Sequence, residues 1–495
     1  MRIVVIVFFV SFIKLFGQSE EYKNILNEGI ELSLNFQFKE AEKEFNKLIS
    51  MDSEQPYAYL QKAKMHLWFY LGTNDANEFV TVKKYCETGI EKGEKLLKKK
   101  KNSAELKAVI GELNAQLAVG NAYNREAFPA FFKTKSAMSY FEESIDENPK
   151  LYNAYLWYGI FKYTISFVPG FLKFAISITG LSGDKEEGLG YIRKAAKADN
   201  PDPEAEYHYG RILTEYCAEY DTASDIMSRL VKKYPENILF KYQLAIIKIK
   251  LHKLQESEIL LREIIETDNP KFKQTLAYSN FLLGDIYFRR NSYDKALSYY
   301  ELFLKMTHSL DYTGIANLRM ALCYGYKKDN LYFQKNLQLA KEGNEDIAED
   351  EYAAKIAGYF IENGFIEDIR EIIASENNLY TGEYEKVIKS LNDRISEIKN
   401  RELKGYAEYL TAEAYLKKRN FKLAVIHSKN AAEKEYKTFK WIKAATLLCL
   451  ANSENYLGNK EKAVEYLESA EESSYSNDDT KAGITRLKNH IPKKR

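Results

Sequence analysis

Residues able to do chemistry are scattered along this chain. The six histidines, His66, His208, His252, His308, His427 and His490, stand far apart, and no HExxH pair sets two of them on one helical face to hold a metal. The four cysteines, Cys86, Cys217, Cys323 and Cys449, lie more than a hundred residues apart inside predicted helices. They read as small core fillers, because a disulfide framework needs denser, loop-borne cysteines. There is no G-x-S-x-G elbow for a nucleophile. Carboxylates recur at helical spacing everywhere, as solvated faces require. GLSGDK, from Gly180 to Lys185, has glycines suited to a phosphate cradle but lacks the full glycine spacing, the Lys-Ser/Thr end and a preceding strand. Catalytic residues, a metal site and a cofactor are therefore not expected.

Lys+Arg 72 against Asp+Glu 71 leaves a net charge of +1, which gives no global attraction to nucleic acid. The one marked basic run, EKGEKLLKKKK from Glu91 to Lys101, suits a solvated helix end whose lysines complement the dipole. Its alternative is a contact with an anionic surface. The chain opens with one Arg and an apolar run, Ile3 to Ile13, of about 16 Å as a helix, half a bilayer core. A secretory signal over residues 1–17 fits, with Gly17 before the cut and Gln18 after it. An uncleaved anchor is the alternative. Either way an exported, periplasmic or outer-membrane-associated protein is expected.

The elements are helices. Apolar residues recur at three and four spacing, no alternating strand is evident, and the nine prolines punctuate the helical rhythm. In Phe281 to Phe303, FLLGDIYFRRNSYDKALSYYELF, small Gly284 and Ala296 let two helices approach closely while Tyr287, Tyr293 and Tyr300 fill the space beside them. This spacing resembles the tetratricopeptide repeat. Gly210, Ala245, Gly284, Ala321 and Ala357 take the same small position, 35, 39, 37 and 36 residues apart. The expected fold is an all-α, TPR-like α-solenoid, a right-handed superhelix of antiparallel pairs with about 23 helices. Its parts are an N-terminal TPR-like region, 18–203, with an apolar insert at 164–183, a regular array over 204–345, irregular helices forming a hinge over 346–400, and C-terminal pairs with a capping helix over 401–495. Phe128 to Phe132 is expected to be an insertion or kink.

GLSGDKEEGL, Gly180 to Leu189, resembles the signature of the eukaryotic tetratricopeptide-repeat 39 and inclusion-body-clearance family, with Leu181 in place of its aromatic residue and Lys185 in place of its arginine. Physically, Gly180 and Gly183 permit a tight turn, Asp184 caps the following helix, and Gly188 and Gly190 let that helix lie close to another. Upstream, the apolar stretch 164–181 is cut by Pro169-Gly170 and carries Lys173. It is expected either to pack inside the array or to lie in a membrane interface through Phe167, Phe171 and Phe174. The repeat resemblance implies that first helices line a groove, with Tyr278, Phe281, Asp285, Phe288, Arg289 and Arg319 facing it. Aromatic residues with arginine suit peptide recognition. The expected function is a non-catalytic scaffold for a protein or peptide partner, and the alternative is a peripheral membrane or lipid-handling protein.

Overall fold

The computed structural model describes residues 19–99, 103–167, 181–267, 269–473 and 475–491. Among these the chain forms 24 α-helices with short 3-10 and π turns, and no strand. Two compact units are present. Unit 1 takes in the described residues through Arg211, with Ala223–Gln243 and Asn269–Phe272; unit 2 takes in Ile212–Thr222, Leu244–Asp268 and the residues from Lys273 onward.

Unit 1 holds four helical pairs: α1 (Glu20–Leu34) with α2 (Phe38–Met51), α3 (Tyr57–Thr73) with α4 (Ala76–Lys99), α5 (Ala104–Tyr123) with α6 (Ala127–Glu147), and α7 (Tyr152–Ile165) with α8 (Lys185–Ala196). Then come α9 (Pro203–Ile212), α10 (Tyr220–Lys233) and α11 (Ile238–Lys250). Unit 2 continues with α12 (Leu254–Ile265), α13 (Lys273–Arg289), α14 (Tyr293–Met306), α15 (Thr313–Tyr326) and α16 (Asn330–Leu339). A lone α17 (Ala348–Asn363) precedes α18 (Glu367–Tyr380), α19 (Tyr384–Arg394), α20 (Arg401–Lys417) and α21 (Phe421–Ala432). The chain ends in α22 (Trp441–Tyr456), α23 (Lys460–Glu471) and α24 (Asp478–His490), which sets Ile484 and Leu487 against Leu448 and Leu467.

The hairpins close where small residues meet rings. A Cβ on Gly284 would come within 2.6 Å of the Tyr300 ring; on Gly29, 2.5 Å from Phe45; on Gly111, 2.8 Å from Phe141. In each pair the second helix contributes a fully buried alanine, Ala296, Ala41 or Ala137. Interiors packed at crystal-like density leave no room for an added methyl there. Gly284 and Ala296 thus sit where adjacent helices touch, as their spacing predicts.

A second device recurs in the backbone. First helices end on a residue in the left-handed region: Phe36 (φ 62), Arg125 (59), His252 (58), Asn291 (55), Lys328 (62), Arg419 (61), Gly382 (86) and Gly458 (85). The next amide then donates to the carbonyl five residues back, as Gln37 N does to Leu32 O at 2.9 Å and Asn420 N to Tyr415 O at 2.9 Å. This is the Schellman closure, which satisfies helix-end carbonyls and turns the chain into the second helix.

Two expectations are corrected. Phe128 to Phe132 is no insertion but the opening of α6, with Pro129 in its first turn, where a missing N–H costs nothing. Gly190 faces open space, so it allows no close approach. Where the register slips between Gly364 and Gly382 the chain forms three successive helices, α17, α18 and α19, as the irregular spacing predicts, and α17 packs against α15. In the GLSGDKEEGL stretch Gly180 lies outside the described residues, and Gly183, Asp184 and Gly188 behave as read. Asp184 Oδ1 accepts from Glu187 N at 2.8 Å, Asp184 N donates to Lys162 O at 3.1 Å, and Glu187 pairs with Lys162 at 2.6 Å. A Cβ on Gly183 would meet the Ile165–Ser166 backbone, and one on Gly188 would lie 2.6 Å from Tyr163 N. Those two glycines let α8 begin directly against the end of α7.

Candidate functional site

In unit 2 the first helices bring charged and aromatic side chains from distant parts of the sequence onto one wall. Arg289 donates to Glu376 and to Asn377, each at 3.3 Å, and its guanidinium lies 4.8 Å from the Tyr380 ring centre. Glu376 also accepts from Tyr406 at 2.9 Å. Asn377 reaches back to the Phe288 carbonyl at 3.0 Å and Asn291 at 2.9 Å, tying α18 to the end of α13. Asp285 accepts from the Tyr300 hydroxyl at 2.7 Å and pairs with Arg319. Across the same wall Lys250 pairs with Asp479 at 2.9 Å, although 229 residues separate them. Burial pushes the Arg319 guanidinium down from its ordinary value, while Glu376, Tyr380 and Glu349 act the other way. Burial also opposes the charge on Arg289, but Glu376 and Tyr380 prevail and hold it above the ordinary arginine value.

The residues expected to line the groove separate into two groups. Phe281 and Phe288 are buried, Phe281 packing on Tyr300 and Phe303 and Phe288 on Tyr293. Tyr278, Asp285, Arg289 and Arg319 keep partial exposure, and Tyr278 packs on Phe303 and Tyr312. The structure adds partners that sequence reasoning missed. Tyr352 stands near Arg289, Arg319 and Trp441, and Tyr409 stacks edge-on against Trp441 at 5.7 Å. Glu376 and Tyr380 were hidden because they fall where the repeat register slips, so no repeat position pointed to them. Of the three membrane-facing candidates, Phe167 is 51% exposed at the end of α7; Phe171 and Phe174 lie outside the described residues.

Unit 1 has a different wall. A cavity of about 90 Å³ lies against α1, α3, α5 and the start of α7, with Leu26, Ile30, Met65 and Trp68 on its apolar side. Its polar side gathers Glu105, Glu112, Asp202 and Glu204 around one ammonium, Lys64. Lys64 reaches Glu112 at 2.8 Å and Glu204 at 2.5 Å. Burial, reinforced by Glu112 and Asp202 and opposed by Lys64, raises the Glu204 carboxyl to about 7. One turn on, the His208 ring packs edge-on against Trp157, and burial, with Arg211 and Lys64 adding to it, lowers His208 to about 3. The signal in the sequence was a pair of lysines, Lys62 and Lys64, set in the apolar helix YAYLQKAKMHLWFYLG, of which Lys64 lines the cavity. Among the described residues no cluster of His, Cys, Asp and Glu could hold a metal ion.

Residues 152–310, which run from α7 into the regular hairpins, match the model of the family described as Iml2/Tetratricopeptide repeat protein 39. The chain is a tetratricopeptide-repeat protein that resembles this family. No curated protein sequence matches it. Similar solved structures include the C-terminal part of a TPR repeat-containing protein from Cytophaga hutchinsonii, 16% identical over 58% of this chain and 94% of that one, with a TM-score of 0.30. A tetratricopeptide repeat protein from Parabacteroides merdae is 16% identical over 57% of this chain and 98% of that one, at 0.26, and yeast Tom70 is 12% identical over 95% and 96%, at 0.27. The TPR architecture rests on this protein's own hairpins and the family match. Arrays of such repeats are scaffolds for other proteins, since stacked hairpins leave a continuous first-helix face.

Proposed function

We propose that this TPR protein is an exported, non-catalytic scaffold that holds a protein or peptide partner against the first-helix wall of unit 2. The observation that carries the reading is the partial exposure of Tyr352 near Arg289 and Arg319, with Tyr278, Tyr312 and Tyr409 partly exposed in the neighbouring repeats. Tyrosine and arginine supply large contact area and directed hydrogen bonds, the chemistry that dominates protein interfaces. Export is supported by the apolar run from Ile3 to Ile13 and its small-residue flank. A photocrosslinking residue placed at Tyr352 in the native cell should trap one discrete partner, and the same residue at Leu331, exposed on α16, should not. An identical pattern from both positions would sink the reading.

A second reading attaches to Phe167 and its exposure at the end of α7. In it the apolar insert lies in a membrane interface and the protein is peripheral. No helix among the described residues is long and apolar enough to cross a membrane. Deletion of Phe167 to Ile178 should then leave a folded protein that no longer sediments with membranes. Unchanged sedimentation removes this reading.

A further inference from the structure

Four carboxylates facing one ammonium leave the unit 1 cavity with an excess of negative charge, and two further polar atoms of its lining are able to accept hydrogen bonds. Ser33 Oγ and Asn153 Oδ1 belong to lining residues, are buried, and have no hydrogen-bond partner. The carboxylates outnumber the one ammonium, the Asn153 carbonyl oxygen accepts only, and the Ser33 hydroxyl can accept, so the group that completes the lining is rich in donors and positively charged. The opposite wall, Leu26, Ile30, Met65 and Trp68, suits the aliphatic stem of such a group, and an indole face attracts a cation.

One helical turn further, the preference reverses. Residues four apart share a helix face, so Trp68, Gln116, Trp157 and His208 form a tier next to Lys64, Glu112, Asn153 and Glu204. Gln116 is 2% exposed and Trp157 6% exposed, and their Nε2 and Nε1 donors have no partner. Trp157 lies 5.6 Å from His208, which stands 3.9 Å from Glu204, so the tiers are in contact. Two buried donors beside an acceptor-rich cavity match a main-chain carbonyl next to a cationic side chain.

We infer that the cavity of unit 1 is a binding site for a lysine or arginine side chain of a partner polypeptide, whose backbone carbonyl is held by Gln116 and Trp157. Lys64 occupies part of the acidic lining, so it competes with the incoming cation. The site is separate from the unit 2 wall, and either can fail while the other stands.

The full-length protein would be titrated with the capped peptide Ac-Leu-Lys-Leu-NH2, the neutral Ac-Leu-Gln-Leu-NH2, and n-butylammonium, followed by calorimetry and tryptophan fluorescence. The lysine peptide should bind at least tenfold more tightly than the glutamine peptide. The double change Glu105→Gln/Glu112→Gln should erase that preference, and Lys64→Met should strengthen lysine-peptide binding about tenfold. Gln116→Leu should weaken the peptide and leave butylammonium unchanged. Circular dichroism melts identify any variant that fails to fold; if Lys64→Met does, Lys64→Gln takes its place. Equal binding of the lysine and glutamine peptides to wild type and to the Lys64 variant would overturn the inference. Butylammonium binding as tightly as the peptide would overturn the assignment to a polypeptide.

Discussion

The two units use the same hairpin and treat charge on their first-helix walls in opposite ways. In unit 2 each cation named on the wall meets an acceptor from a distant helix: Arg289 on Glu376, Arg319 on Asp285, Lys250 on Asp479. In unit 1 a single lysine stands among four carboxylates, so carboxylates outnumber cations; unpartnered buried polar atoms occur in both units, at Ser33, Gln116, Asn153 and Trp157 in unit 1 and at Asn280 and Ser375 on α13 and α18 in unit 2. Paired charges rigidify the helices that carry them, whereas an excess of buried like charges raises the free energy until something binds. The repeat sets the scaffold in both units, and the polar residues on its inner faces decide whether it is braced or receptive.

The most severe test of the shared scaffold is a methyl-bearing residue at the close contacts. Gly284→Val in unit 2 and Gly111→Val in unit 1 should each cost about 3 kcal/mol, because the rings of Tyr300 and Phe141 cannot move aside. Urea unfolding would show this, and a cost below about 1 kcal/mol at either site would refute the close packing.

The walls should then respond with opposite signs. Glu376→Ala should destabilise by about 2 kcal/mol, since it strips Arg289 and the Tyr406 hydroxyl of a buried acceptor. Glu204→Gln should stabilise by about 2 kcal/mol at pH 7.5, because it removes a carboxylate whose ionised form is disfavoured by burial. Calorimetric melts of both variants would decide. Destabilisation by both would mean that unit 1 is braced like unit 2.

Titration sharpens the contrast within unit 1. Glu204 is raised from 4.5 to about 7, so the folded state holds its proton more tightly; its contribution is complete at low pH and lost as pH rises through about 7. His208 is lowered from 6.5 to about 3, so its contribution is present above 6.5 and lost as pH falls. Between 4.5 and 6.5 the two slopes offset each other. His208→Gln should therefore expose a protein that loses stability from pH 5 to 7, and Glu204→Gln one that loses it from pH 6.5 downward, in melts across that range. Identical pH profiles for wild type and both variants would contradict the assigned shifts.

The smallest effect belongs to the turns. Lys328→Gly and Arg419→Gly, at exposed left-handed positions, should each stabilise by about 0.5–1 kcal/mol in thermal melts. Destabilisation would mean that these side chains make contacts outweighing the backbone strain.

Much of the scaffold was legible because repeat packing is local. The ring that Gly284 accommodates lies 16 residues away on the next helix, and the cap at Asp184 reaches three residues, so spacing alone reports both. The turns were less legible. Glycine announces a left-handed residue at Gly382 and Gly458, but Phe36, Lys328 and Arg419 adopt the same conformation with no glycine to mark it. The start of α6 was misread because Pro129, a helix breaker in most positions, stands in the one turn that tolerates it.

By itself the sequence determined the helices, their pairing, the small-to-ring contacts and the cap that seats α8 on α7, because these depend on residues within about one hairpin of each other. Only the tertiary structure decided which charges meet. Arg289 finds Glu376 across 87 residues and Lys64 finds Glu204 across 140, and spacing in the chain carries no record of such distances. Stacking many hairpins brings remote first helices onto one wall, and the accumulated geometry of the repeats, rather than any local pattern, selects the partners.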